Sequence, residues 1–289
     1  VTVEYSGKGD PARSLALLWR TSERTSRKGK PDLSVDRIVR AAIEVADADG
    51  LQALSMRRVA ERLGVGTMSL YTYVPGKPEL LDVMLDTVYG ETAYAGTGHG
   101  EMGHAGTGQG EMGHAGTGQG ETAGPEEVPG GWRGRLEVIA RENWRLYLRH
   151  PWLLQVAASR PVLGPNVTAK YDYELRAVDG IGLTDVEMDS VITLVTGFVH
   201  GTARGAVEAA QAESRTGLSD EQWWAAHAPF FSRIADVGRF PTAARVGQAT
   251  GEALGAAYSA EHAFEFGLQR VLDGIEALVS GRASTPPAD

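Results

Sequence analysis

The stretch Met56–Tyr73, MRRVAERLGVGTMSLYTY, decides the fold. Met56, Val59, Ala60 and Leu63 recur at helical spacing, and Ser55 stands where an N-cap side chain accepts from the first turn. Gly64 comes next, the residue type that enters a left-handed turn without steric cost. Val65 packs into the corner, and Leu70 seats a second, short helix over Thr67–Tyr73. A small residue where two helices cross, a turn residue four positions later and an apolar seat in the second helix describe a helix–turn–helix; here they are Ala60, Gly64 and Leu70. The second helix is too short for a core helix and presents Thr67, Met68, Ser69, Thr72 and Tyr73 outward. Short hydroxyls, a thioether and an aromatic ring suit base edges, thymine methyls and phosphates. A helical hairpin in a protein that never touches DNA carries the same pattern, so spacing alone leaves both readings open.

Working outward, Leu33, Val35, Ile38, Val39, Ala42 and Ala46 share one face of a helix that Ser34 caps and Gly50 ends. A further helix spans about 77–89, and helices are expected at about 132–149, 152–158, 166–179, 186–213, 219–236, 241–248 and 259–280. No run of alternating β-branched residues reads as a strand, so the fold class is all-α. Between 89 and 132 stands a ten-residue repeat: GTGHGEMGHA (96–105), GTGQGEMGHA (106–115) and GTGQGETAGP (116–125). Residues 96–124 hold 12 of the 37 glycines and only Ala and Met as apolar residues. Such a segment has nothing to bury against its ordering entropy and reads as a disordered linker.

The 289 residues suffice for one or two domains, and the absence of cysteine removes disulfide scaffolds, Cys-zinc sites, iron–sulfur clusters and cysteine nucleophiles together. No apolar run approaches the roughly 18 residues of a membrane span, and Leu15–Trp19 falls short of the roughly 7–15 of a signal-peptide core. A cytoplasmic location with no membrane partner is the expectation. The net charge of −9 hides an asymmetry: residues 1–82 carry 13 Lys/Arg against 11 Asp/Glu, the remainder 15 against 26. From Arg13 to Lys30, Arg13, Arg20, Arg24, Arg27, Lys28 and Lys30 face only Glu23. A basic front on an acidic body fits a DNA binder with a separate second domain, although basic tails are often merely solvated.

Residues 33–86 closely resemble the DNA-binding domain of the tetracycline-repressor (TetR) family. The resemblance is carried by Gly50-Leu51, Ser55-Met56-Arg57-Arg58-Val59-Ala60, Leu63-Gly64-Val65, Leu70-Tyr71 and Lys77-x-x-Leu80-Leu81. It implies an all-α homodimer with an N-terminal three-helix helix–turn–helix domain and a C-terminal helical bundle for ligand binding and dimerisation. It further implies that Arg57 reads a base and that Thr67, Met68, Ser69, Thr72 and Tyr73 occupy recognition positions. Tyr71 and Lys77 then sit at phosphate-holding positions, with Ser55 as a cap close to the DNA backbone. Arg24, Arg27, Lys28 and Lys30 lie just before the first helix of this domain; the arm either reaches an adjacent minor groove or adds diffuse attraction only.

Residues 132–280 resemble, more weakly, the ligand domain of the tetracycline-repressor subgroup, through Trp144-x-x-Tyr147-x-x-x-His150-Pro151-Trp152, Gly197-Phe198-Val199-His200-Gly201 and Phe264-Glu265-Phe266-Gly267-Leu268-x-x-Val271-Leu272-Asp273. The family's tetracycline and magnesium contacts do not match residue by residue, and none is carried over. The chain also departs from the family by an insertion of about 35 residues and by an extension of some 30 residues before the first helix. All six Phe and five of the six Trp lie beyond residue 130, as core or as the lining of an apolar cavity. Asn143 interrupts the apolar face of Leu136, Ile139, Ala140, Leu146 and Tyr147, and is either a satisfied core amide or a ligand anchor. Candidate ligand contacts are Asn143, Trp144, Tyr147, Trp152, Phe198 and His200. Thr196, His200 and Arg204 form a polar stripe of surface or interface character. Gly197, Gly201 and Gly205 each cost helix stability and imply close approach of another backbone, as dimer packing or as room for a ligand. With Phe264, Leu268, Val271, Leu272 and Ile275 they form the candidate dimer interface.

Three further patterns fail on context. Gly98–Gly103 and Gly108–Gly113 fit G-x-G-x-x-G, yet neither succeeds a strand or opens a helix. Glu101/His104 and Glu111/His114 echo a carboxylate–histidine metal pair without a helix to orient them. Asn166-Val167-Thr168 is a glycosylation sequon without a secretory route. No nucleophile or acid–base constellation can be argued, so an enzyme is not expected, and no metal or cofactor is called for.

The expectation is a ligand-responsive transcriptional repressor that binds a palindromic double-stranded operator as a homodimer and is released by an apolar or polyketide-like small molecule. The alternatives are an activator or ligand-independent repressor of the same fold and, remotely, an enzyme using the aromatic cavity. The domain expectation is a basic extension (1–32), the DNA-binding domain (33–92), the Gly-rich insertion (93–131), the ligand and dimerisation domain (132–280) and a disordered tail (281–289).

Overall fold

The computed structural model describes residues 4–5, 10–21, 33–92, 125, 128–157, 161–234 and 238–283. They form an all-helical protein, apart from a two-residue parallel pairing of β1 (Glu4–Tyr5) with β2 (Val156–Ala157). The chain makes two compact units, residues 1–192 and 193–289. Among the described residues no helix is long and apolar enough to cross a membrane.

In the first unit, α1 (Pro11–Leu18) precedes α2 (Val35–Asp49), α3 (Met56–Leu63), α4 (Thr67–Leu70), α5 (Lys77–Tyr89), α6 (Gly131–Arg149) and α7 (Pro165–Arg176). Local chemistry sets the helix ends. Ser34 Oγ accepts from Arg37 N at 3.2 Å and Ser55 Oγ from Arg58 N at 3.2 Å, each satisfying a first-turn donor. Gly50 (φ 81°) ends α2 and Gly64 (φ 67°) ends α3, both at angles that a side chain resists.

Helix α5 organises this unit. It buries Leu80, Leu81, Val83, Met84, Leu85 and Val88, and α1, α2 and α7 pack on it. A helix apolar on most of its surface belongs at the centre of a bundle. Its buried Asp86 caps α7 from outside: Oδ1 accepts from Asn166 N (3.0 Å) and Val167 N (2.9 Å), and Asn166 Nδ2 donates to Oδ2 (3.1 Å). The sequon asparagine therefore has an internal use. Gly164 is required beside it, because a Cβ there would lie 2.1 Å from Asp86 Oδ1.

The Arg13–Arg20 part of the extension is packed: α1 buries Leu18, Trp19 Nε1 donates to Leu163 O at 2.9 Å, and Arg20 bonds Asp36. Three expectations change. The second helix of the turn motif is regular only over Thr67–Leu70. Tyr71–Tyr73 continue as a turn, with Tyr73 N and Val74 N both on Leu70 O, ahead of Pro75. The helix expected at 152–158 is a 3-10 turn, Pro151–Gln155, running into β2, where Val156 pairs with Glu4. The second unit holds α8 (Asp185–Thr216, which begins in the first), α9 (Asp220–Ile234), α10 (Pro241–Leu254) and α11 (Ala260–Ala283), and α10 extends past 248 with Gly247 and Gly251 inside it. The repeat at 96–124, its metal-like pairs, the arm at Arg24, Arg27, Lys28 and Lys30, and the tail from 284 lie outside the described residues.

Two glycine substitutions should move stability in opposite directions. Gly64→Ala forces a left-handed alanine and is expected to cost about 1 kcal/mol. Gly251→Ala lies within α10 with nothing within 4 Å of its Cβ, and should add up to about 1 kcal/mol. Urea denaturation of both proteins checks the signs.

Candidate nucleic-acid interface and effector region

The two helices of the turn motif meet through buried Val59, Ala60, Leu70 and Val74. Gly64 carries the chain between them, with Val65 N bonded to Ala60 O at 3.0 Å. That geometry leaves one face outward. Met68 is 78% exposed and Tyr71 45%; Ser55, Ser69 and Thr72 are exposed as well, while Thr67, Tyr73 and Lys77 are half-buried. Lys77 is the first residue of α5.

The arginines of α3 divide by role. Arg58 is tied to Asp49 at 2.7 Å and Arg62 to Glu44 at 2.6 Å, both on α2, so they brace the motif. Arg57 pairs only locally with Glu61, one turn on, and its side chain is 83% exposed. An exposed pair of this kind is screened by water and is readily exchanged for another anion.

Behind the motif, a polar clasp joins three segments of the first unit. His150, which closes α6 and is 5% exposed, points Nδ1 at Asp47 Oδ1 (2.8 Å) and Nε2 at Glu91 Oε2 (3.0 Å). Trp152 Nε1 donates to the same Asp47 oxygen at 2.8 Å, and Arg149 lies 3.4 Å from Glu91. A neutral imidazole has one donor and one acceptor, so two carboxylates on its two nitrogens require the doubly protonated ring. Burial pulls the His150 pKa down, but the hydrogen bonds and charges of Glu91 and Asp47 outweigh it, and the net direction is up. Glu91 is held below the usual glutamate value, chiefly by its bond to His150. Sequence reasoning singled out His150 only as part of a resemblance and missed Asp47 and Glu91, which stand 103 and 59 residues away.

Of the expected ligand contacts in the first unit, Asn143, Tyr147 and Trp152 are buried and Trp144 is half-buried. Asn143 Nδ2 donates to buried Glu174 at 2.9 Å, and Lys170 Nζ bonds the same carboxylate oxygen. The Tyr147 hydroxyl is hydrogen-bonded to Tyr89, and burial raises the pKa of both phenols. Lys170, Glu174 and Tyr89 carried no local signal.

In the second unit Phe198 stacks on Phe264 with centroids 6.1 Å apart, and His200 is half-buried, its pKa lowered by desolvation and then by Arg204. Gly267 makes room for the Phe198 ring: a Cβ there would lie 2.5 Å from it. Gly205 similarly admits the Tyr258 hydroxyl, whereas Gly197 and Gly201 have nothing within 4 Å of a Cβ. Phe264, Leu268, Leu272 and Ile275 are already buried in a single chain, and Val271 is half-buried. The four buried side chains are thus spent within their own chain, while Phe266 on the opposite face of α11 is 58% exposed.

Residues 38–84 match the family of bacterial regulatory proteins, tetR family, and residues 124–279 match the tetracyclin repressor-like C-terminal domain. The HTH-type transcriptional repressor DrrR1 of Streptomyces coeruleorubidus is 45% identical over 286 residues, covering 97% of this chain and 91% of that protein. Apo ActR from Streptomyces coelicolor superposes with a TM-score of 0.62 at 26% identity, over 89% of this chain and all of that one (100%). ActR in complex with actinorhodin gives 0.59 at 26% identity, over 85% and 96%.

The clasp has a pH signature. Because the folded His150 pKa lies above its unfolded value, its stabilisation is complete below the ordinary histidine pKa and is lost as pH rises through the raised value. Urea midpoints of wild type should therefore fall as pH rises above the ordinary histidine pKa. His150→Leu should lose about 2 kcal/mol at the acid end, the worth of a charge-assisted hydrogen bond, and flatten that profile.

Proposed function

The chain belongs to the TetR family of bacterial regulatory proteins, and from that premise we propose a transcriptional repressor that binds a palindromic DNA operator as a homodimer and is released by a small molecule. The observation that carries the reading is the outward face of the turn motif, where Arg57, Met68, Ser69 and Thr72 are exposed around the Gly64 turn. Arg57 reads a base from α3. Thr67, Met68, Ser69, Thr72 and Tyr73 meet base edges or sugars, Tyr71 and Lys77 hold phosphates, and Ser55 lies close to the DNA backbone. Arg24, Arg27, Lys28 and Lys30 add attraction or minor-groove contact from the arm before α2.

Repression is supported by the relative DrrR1, which is named a repressor, and release by ActR, whose solved complex holds actinorhodin. The effector proposed for this chain is likewise apolar or polyketide-like, with Asn143, Trp144, Tyr147 and Trp152 of the first unit as candidate contacts. The dimer is proposed to form through Gly197 and Gly201 of α8 together with Phe266 of α11. Two glycines one helical turn apart with no neighbour of their own suit the close approach of a second copy.

Selection from a randomised duplex pool with the purified protein should recover a palindrome. On it, Arg57→Ala should cost roughly 1–3 kcal/mol and relax one position in each half-site. Lys77→Ala should weaken all sequences alike and lower the salt slope by about one unit. Actinorhodin is the first effector to try for release. A pool that returns no enriched sequence would sink the reading.

A further inference from the structure

The buried face of α6 is apolar through Leu136, Ile139, Ala140 and Leu146, and Asn143 sits in its middle at 1% exposure. The orientation of this amide is fixed. Nδ2 donates to Glu174 Oε1 at 2.9 Å, and Glu174, 3% exposed, also holds Lys170 Nζ. Turning the amide over would set its oxygen against a carboxylate oxygen. Oδ1 therefore faces away from Glu174, and among the described residues it meets no donor. A carbonyl shut away from water without a donor is a standing penalty, and a purely structural position would be filled by leucine or by a satisfied amide.

The surroundings restrict what fits that acceptor. The carboxylate of Glu174 is paired with Lys170, so the cluster has no net charge to offer an ion. The nearby phenols of Tyr89 and Tyr147 are held protonated by burial, with Glu174 acting in the same direction. The burial that disfavours phenolate there also disfavours a ligand carboxylate. We infer that Asn143 Oδ1 is the specificity contact for a neutral hydroxyl or N–H donor carried on an otherwise apolar effector, bound among α5, α6 and α7. The inference deepens the proposed effector-released repressor and rests on it. Lys170 and Glu174 act as positioning residues that aim the amide.

Calorimetric titration of the full chain, without DNA, tests this with three naphthalenes of one shape: 2-naphthol, 2-methoxynaphthalene and 2-naphthoate. Wild type should bind 2-naphthol on the order of tenfold tighter than the ether, which occupies the same volume without a donor, and 2-naphthoate weakest. Asn143→Leu, its fold checked by circular dichroism, should bind naphthol and ether alike. Equal affinity of wild type for naphthol and ether, preference for the naphthoate, binding of none of the three, or a preference that survives Asn143→Leu overturns the inference. If Asn143→Leu does not fold, the three wild-type titrations decide alone. Because no DNA is present, a protein that releases its operator yet ignores the hydroxyl loses this inference and keeps the repressor reading.

Discussion

One buried imidazolium ties the DNA-binding motif to the end of α6. His150 is shut from solvent with a carboxylate on each nitrogen, Asp47 from α2 and Glu91 from just beyond α5. Each partner alone would be a liability: a buried ring without acceptors gives up its charge, and two carboxylates facing one another repel. Together they fix three segments at once, and the Trp152 indole on Asp47 closes the arrangement against sliding. Apolar packing of α2 on α5 sets the distance between these helices, but packing is non-directional. The clasp supplies direction.

A second set of polar contacts works the same way around α5. Asp86 caps α7 across 80 residues of sequence, and Trp19 on α1 donates to the carbonyl just ahead of that cap. Arg20 then reaches Asp36 in the first turn of α2. The extension before α2 thus contributes a helix that packs on α5 and is tied to the first turn of α2 through Arg20. Under the proposed function, an effector acts only through a difference in affinity between two arrangements of the DNA heads. The amide of Asn143 lies on the helix that ends at His150, so occupancy of one and geometry of the other share a rigid element.

On the DNA-facing side the physical logic is one of restraint. Two of three arginines on α3 are committed to carboxylates of α2, which keeps the motif stiff, and Arg57 is the most exposed of the three. The regular part of α4 is short, and Tyr71–Tyr73 follow it as a turn closed by Tyr73 N and Val74 N on Leu70 O.

The helices, their caps and the turn motif were legible in the sequence because each rests on contacts within about four residues. Ser34, Ser55, Gly50 and Gly64 do their work where they stand. The apolar face of α6 and the anomaly of Asn143 within it were visible for the same reason. The clasp was not: partners 103 and 59 residues from His150 leave no periodicity to read. Nor could spacing show that Gly267 yields to the Phe198 ring, or that Phe264, Leu268, Leu272 and Ile275 are spent inside their own chain. A one-dimensional pattern records which face of a helix is apolar, since that comes from the helical repeat. It does not record what the face meets, because that is set by chain closure over long loops, and here the folded chain alone chose the partners of His150, Asn143 and Asp86.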